Sequence, residues 1–305
     1  MKSLLTVFLL LGSVILNAQT STDILLFDLK IENGEPVLSN GTNITNRKGY
    51  DNQPFFHPSK PLIYFAAFND SNRSDIRIYN ISTGQTENFT NTRDREYSPT
   101  VTADGNGISC ILQRDNGVQD LVRYGMKGGK PEVLIFHLKV GYHAWVDENR
   151  LFLFVLDDTS RNSLHFYYLD KNADTVVAEN IGRSLHRIPG QNAMSFVQRI
   201  SDKLSVIKRY DLGTGLVSNI VYTVPGQDHL TWLSDGTILM SDGKEIFYHR
   251  YRADGELKDK VWKPVRVEGG GSLLKGVSRL AVDGGNSRIA VVVNEAPSGS
   301  PGGGR

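Results

Sequence analysis

TWLSDGTILMS (231–241) sets a short run of β-forming residues, a Ser-Asp-Gly turn and a second run rich in Ile and Leu in immediate succession. Read alone it is one hairpin. Asp-Gly supplies the left-handed backbone that a tight turn needs, and the flanking apolar residues favour extended chain. The same strand–turn–strand pattern returns in FFHPSKPLIYFAAF (55–68), TVTADGNGISCILQ (100–113), AWVDENRLFLFVL (144–156), RIPGQNAMSFVQR (187–199) and RLAVDGGNSRIAVVV (279–293). Placing Phe56, Val101, Trp145, Ile188, Trp232 and Leu280 at one equivalent position gives intervals of 43 to 48 residues.

A second hairpin follows in each of the first five units: RIYNISTGQTENFTN (77–91), LVRYGMKGGKPEVL (121–134), FYYLDKNADTVV (166–177), IKRYDLGTGLVSNI (207–220) and FYHRYRADGELKDKVW (247–262). Four antiparallel strands about every 44 residues is the blade of a β-propeller. The sixth unit stops after two strands, near Val293. Its missing pair lies at the other end of the chain, where DILLFDLKIENGEPVLS (23–39) reads as a hairpin and NITN (43–46) repeats NFTN (88–91). The reading is therefore an all-β, six-bladed β-propeller of four-stranded antiparallel blades, one domain over 19–294. Two N-terminal and two C-terminal strands close its last blade. That closure leaves no half-built sheet with bare edges.

The flanks and the composition bound the setting. MKSLLTVFLLLGSVILNAQ (1–19) has Lys2, an apolar run from Leu4 to Leu16 and a small residue at Ala18. This is the layout of a secretory signal, and its apolar run is too short for a comfortable membrane span. Residues 1–18 are expected to be removed, giving a soluble periplasmic or secreted protein. No cysteine stands at the cleavage point for a lipid anchor. The tail EAPSGSPGGGR (295–305) is expected to be disordered. With a net charge of +1 and scattered lysines and arginines, there is no basic stripe for nucleic acid. No later segment is apolar enough to span a bilayer, and a monomer is expected. Cys110 is the only cysteine, so no internal disulfide forms, and its setting in GISCIL reads as a buried inert thiol.

Candidate site residues come from the periodicity. The first strand of a propeller blade lines the central channel, and the loop entering it opens on one rim. His143 in GYHAWVDE (141–148) and His186 in GRSLHRIPG (182–190) each stand two residues before an anchor, Trp145 and Ile188. They therefore read as one slot in adjacent blades, held elsewhere by Pro54, Pro99, Leu230 and Ser278. His229 lies three residues before Trp232, which turns it to the other face of a regular strand, though an irregular entry loop can aim it inward. Three such imidazoles reaching one point would suit a divalent metal, with bonds of about 2.0–2.1 Å. The plainer reading has each histidine bonding a neighbouring carbonyl, with no cofactor. Tyr50, Asp51, Asn52, Arg95, Glu96, Tyr97, Tyr142, Arg183, Ser184 and Asp228 complete a polar rim suited to a sugar or peptide. Asp157 and Asp158 are adjacent, face opposite sides of a strand and make no acid/base pair. No Gly-x-Ser-x-Gly elbow, His-Glu-x-x-His or phosphate-binding Gly-Lys-Ser loop occurs.

QPFFHPSK, SPTVTADG, TWLSDG and RLAVDG resemble the Pro-x-(aromatic)-Ser-Pro-Asp-Gly element of TolB-like, WD40-like (PD40-type) propeller repeats. The resemblance spans roughly 21–293 and is strongest to the small, exported, stand-alone TolB-like propellers common in Bacteroidota. It implies the fold and leaves two functions open. One is a non-catalytic binding or scaffold module for an envelope protein, peptide or glycan. The other is a metal-assisted polysaccharide lyase or hydrolase, because TolB-like lyases hold a metal on funnel histidines. His143, His186 and His229 would be its ligands here, although no lyase signature matches residue by residue. TolB carries an α/β domain ahead of its propeller that has no counterpart in this sequence, so its partner binding is not implied.

Overall fold

The computed structural model describes residues 21–157, 162–251 and 261–295. The proposed leader, nearly all of the tail, Asp158 and the turn of the 247–262 hairpin lie outside the described residues. Two N-terminal strands, β1 (Thr22–Glu32) and β2 (Glu35–Asn43), come first. Blade one follows as β3 (Asp51–Phe56), β4 (Leu62–Phe68), β5 (Ser74–Asn80) and β6 (Gln85–Asn88). Blade two is β7 (Arg95–Val101), β8 (Gly107–Gln113), β9 (Gln119–Gly125) and β10 (Gly128–Ile135). Blade three is β11 (Val140–Trp145), β12 (Arg150–Val155), β13 (Ser163–Tyr168) and β14 (Ala173–Glu179). Blade four is β15 (Ile181–Arg187), β16 (Ala193–Ser201), β17 (Leu204–Asp211) and β18 (Val217–Tyr222). Blade five is β19 (Leu230–Trp232), β20 (Thr237–Ser241), β21 (Ile246–Arg250) and β22 (Lys263–Pro264). Last come β23 (Arg266–Glu268), β24 (Arg279–Val282) and β25 (Arg288–Asn294).

Burial explains why these segments fold this way. The second strand of each blade is sandwiched by both neighbouring blades, so it is nearly continuously apolar: LIYFAAF in β4, GISCILQ in β8, RLFLFV in β12, TILMS in β20. The outermost strands face solvent and are polar, as QTEN in β6 is throughout. Between each pair of neighbouring blades lies one apolar cluster. One example packs Tyr64, Ala66 and Ile76 of blade one on Ile108, Cys110 and Val122 of blade two. Another packs Phe152 and Phe166 of blade three on Met194 and Phe196 of blade four.

The ring closes as the sequence predicts. The final sheet has the order β23–β2–β1–β25–β24, so the N-terminal hairpin supplies its third and fourth strands. β1 and β25 run antiparallel from Thr22↔Asn294 to Asp28↔Arg288, and an ion pair between Asp28 and Arg288 ends the run. The fifth strand is an addition. After β22, the chain leaves blade five and lays β23 parallel to β2 at Val37–Ser39, covering the edge of the closing blade. Tyr248 of blade five donates its hydroxyl to Glu35 at 2.6 Å, fixing the same junction. A three-residue strand carries no periodicity, so no sequence pattern marks it.

Two of the six anchor positions shift in register. The hydrogen bond closing the first turn of each blade aligns them: His57 N–H to Leu62, Thr102 to Gly107, Val146 to Arg150, Ile188 to Ala193, Leu233 to Thr237 and Asp283 to Arg288. The last residues of the inner strands are therefore Phe56, Val101, Trp145, Arg187, Trp232 and Val282. Arg187 replaces Ile188, and Val282 replaces Leu280. The turns differ by a residue in length and the inner strand of blade four carries a bulge, so spacing alone misplaces these two. Among the described residues no helix is long and apolar enough to cross a membrane.

Candidate functional site

Each inner strand is hydrogen-bonded on one side only, so its other edge faces the axis. Together the six strands enclose a central cavity of about 730 Å³. Stretches 53–56, 98–101, 142–148, 183–187, 229–231 and 279–282 line it, one from every blade.

The corrected register separates the histidines. His143 is two residues before its strand end and His186 only one, so they occupy slots of opposite parity and turn to opposite faces. The Nε2 of His143 lies 2.7 Å from both Thr100 Oγ1 and Ser109 Oγ in the preceding blade. Ser109 also accepts the Trp145 indole N–H at 2.8 Å, a pin repeated two blades on, where the Trp232 indole donates to Ser195 at 2.9 Å. His186 instead lies 3.1 Å from Ser184 Oγ and bonds the Leu230 backbone of the following blade. His143 and His186 thus point apart. Among the described residues no three His, Cys, Asp or Glu side chains gather where a metal ion would sit. The trio His143, His186 and His229 does not fit a three-histidine centre.

All three imidazoles are neutral at neutral pH. Burial pushes His143 down to about 3, and its Nδ1 has no partner. Burial brings His186 to about 4 against the Leu230 bond that favours its charge. His229 is pushed well below its usual value, first by burial and then by the charges of Arg279 and Arg183.

Three residues before the strand ends, the blades present Gln53, Ser98, Tyr142, Ser184, His229 and Arg279. Gln53 and Ser98 have left-handed backbone, φ 58° and 54°, at matching bulges of blades one and two. The Ser98 N–H donates to Gln53 Oε1 at 2.7 Å, which leaves the Gln53 amide N–H for the Tyr142 hydroxyl. Arg279 Nη2 donates to Tyr142 Oη at 2.7 Å, and its guanidinium lies 5.1 Å from the Tyr142 ring centroid. Arg279 belongs to blade six and Tyr142 to blade three, on opposite sides of a six-membered ring. Their contact is a bar across the channel. Burial alone would raise the Tyr142 hydroxyl, but Arg279 and Arg183 outweigh it and hold the group below its usual value.

Of the predicted site residues, Tyr142, His143, Arg183, His186 and His229 line the cavity, with Ser184. The others do not. Tyr50 is buried against Phe68 and Tyr97. Asp51 is fully buried and pairs with Arg47 at 2.5 Å; burial, opposed by Arg47, raises it to about 6. Asn52 accepts the Gln53 N–H at 2.8 Å, Arg95 pairs with Asp115 at 2.9 Å, and Asp228 pairs with Arg199. Glu96, fully buried, accepts hydroxyls from Thr92, Tyr124 and Thr90 at 2.5, 3.2 and 3.3 Å, yet burial lifts it to about 7. These groups fix the entry segments between blades and do not face the axis.

Arg279 and Gln53 are the cavity residues that sequence reading missed. Both sit directly beside positions already aligned, in RLAVDG and QPFFHPSK, and a two-residue register error hides the first. A Ser163–His165–Asp174 chain, with contacts of 2.8 and 2.5 Å, was also not foreseen. It ties β13 to β14, and none of its members lines the central cavity.

No family model and no curated protein matches the sequence. Solved structures do match its fold. A TolB-type protein of Agrobacterium tumefaciens aligns with a TM-score of 0.66 at 11% identity, over 92% of this chain and 100% of that one. TolB from Acinetobacter baumannii aligns with a TM-score of 0.55 at 11% identity, over 91% of this chain and 64% of that one. An oligogalacturonate lyase in complex with manganese gives 0.56 at 12% identity, over 92% and 99%. At such identities the likeness concerns architecture alone. The chain folds as a TolB-like six-bladed β-propeller.

Proposed function

We propose that this chain is an exported, non-catalytic binding propeller that receives part of an envelope protein, peptide or glycan in its central cavity. The observation that carries this reading is the cavity itself: about 730 Å³, within the range of ligand pockets, and walled by six strands that each pair on one side only. Two of its histidines are poorly suited to proton transfer. His143 near 3 and His186 near 4 are feeble bases at neutral pH, far from the match that proton transfer requires. The lyase alternative draws on fold likeness alone, because His143 and His186 turn to opposite faces and the three histidines do not meet at one point.

Ala103 is exposed in a turn at one end of the cavity lining, so Ala103→Trp narrows the entrance without disturbing a core. Peptide and glycan arrays probed with the wild type and with this variant test the reading. Binding that the variant loses supports it. Binding that survives unchanged places the ligand on an outer surface and overturns it.

A further inference from the structure

The inner end of the cavity presents donors and positive charge with no acid to answer them. Arg183 and Arg279 both line it, and neither forms an ion pair among the described residues. The Tyr142 oxygen already receives two hydrogen bonds, from Arg279 and Gln53. Its own O–H is therefore left to donate, and no described acceptor takes it. His229 adds a neutral imidazole. The nearby carboxylates are engaged elsewhere: Asp51 with Arg47, Glu96 with three hydroxyls, Asp228 with Arg199. Asp147 and Glu148 do line the cavity, but past the far end of β11, several residues along the axis from Tyr142.

Such a donor set complements a planar anion with two acceptor oxygens, the partner that guanidinium forks match best. The lining runs no more than one residue past the Arg279–Tyr142 bar, at Arg183, and the other entry-segment residues beyond it contribute nothing to the cavity. A guest therefore terminates there and does not thread through. The walls are strand edges unpaired by other strands; apart from groups held by side chains, as at Ser98 and Leu230, their alternating N–H and C=O groups suit an extended main chain.

We infer that the site holds the C-terminal carboxylate of an extended peptide, bound by Arg183, Arg279 and the Tyr142 O–H. This rests on the binding reading above and names its ligand class.

Calorimetry on the full chain tests it with four probes: an N-acetylated pentapeptide library as free acids, the same library as C-terminal amides, trigalacturonate and inorganic phosphate. Free acids should bind at least about tenfold more tightly than amides. Arg279→Gln, which keeps a donor for Tyr142, and Arg183→Gln, which breaks no described contact, should each weaken the acids by about tenfold to a hundredfold while leaving amides unchanged. The second variant keeps the test decisive if the first misfolds. Equal binding of acids and amides, or indifference to both substitutions, overturns the inference. Trigalacturonate bound in place of the peptide acids overturns the peptide assignment, and phosphate competing as well as the acids overturns the carboxylate assignment. Acids and amides that bind equally but lose binding in Ala103→Trp would overturn the inference and leave the binding reading intact. Binding that persists in Ala103→Trp would remove the reading itself.

Discussion

Acid should destabilise this protein through one buried imidazole. His143 is 7% exposed and burial holds it near 3, whereas an unfolded chain carries it near 6.5. Between those values the unfolded state binds a proton that the folded state refuses, so stability rises with pH across the interval. The contribution is complete above 6.5 and is lost as pH falls below it toward 3. From pH 7 to pH 5 the loss from this group is about 2 kcal/mol, and down to pH 3 about 4 kcal/mol. His143→Gln removes the titration but keeps an amide able to meet the Thr100 and Ser109 hydroxyls. Urea unfolding of both proteins at pH 7 and pH 5 measures the difference, with the slopes checked for constancy. The variant should lose about 2 kcal/mol less than the wild type over that interval, whatever its stability at pH 7. Other groups titrate in the same range, and comparing the two proteins cancels them. Parallel pH dependence in wild type and variant would refute the claim that His143 is held neutral by burial.

Glu96 works in the opposite direction. Its folded value of about 7 exceeds the ordinary 4.5, so its contribution is full below 4.5 and disappears as pH rises through 7. Raising pH from 5 to 8 should cost the wild type about 2.5 kcal/mol through this residue, and Glu96→Gln should flatten that slope in the same assay. Deleting residues 21–40 removes β1 and most of β2, stripping Ile24, Leu25, Phe27 and Leu38 from two inter-blade cores. Limited proteolysis and size exclusion should find no resistant monomer, and a resistant one would contradict the closure. Cys110 is fully buried, and burial raises its thiol well above the usual value. It should resist an aromatic disulfide reagent in native buffer and react fully in denaturant; stoichiometric native labelling would show that blades one and two separate.

The architecture was readable because each blade repeats one physical problem: an inner hairpin buried on both faces, then an outer hairpin meeting water. Trp145 and Trp232 mark that repeat well, since each must find a serine in the preceding blade for its indole N–H. The site was readable only in part. Ile188 and Leu280 are apolar residues one and two positions from the true strand ends Arg187 and Val282, and spacing cannot fix the register when unit lengths vary by a few residues. In a β-strand, one residue decides which blade a side chain faces, so the small slip at His186 turned a divergent pair into an apparent cluster. Asp51 and Glu96 were assigned to a wet rim because they are charged, yet both are fully buried. Their partners Arg47, Thr90, Thr92 and Tyr124 come from other strands and loops, and no local pattern announces them. Arg279 reaches Tyr142 across half the ring, a contact separated by 137 residues.

The closing sheet also fixes how the molecule would respond to force. The Glu295 N–H bonds the Ser21 carbonyl at 2.9 Å, so the described chain begins and ends at one point on the rim. β1 and β25 run antiparallel from there, with ladder bonds perpendicular to both strands. Tension applied between the two ends would load those bonds singly from Thr22–Asn294 inward, as a zipper opens. Resistance in shear, where all seven paired positions would share the load, is not available to this geometry. A tether at either end would hold the propeller by the same spot and leave both faces of the ring turned outward in the same way. Pulled from both ends, the ring would part first at its closing blade.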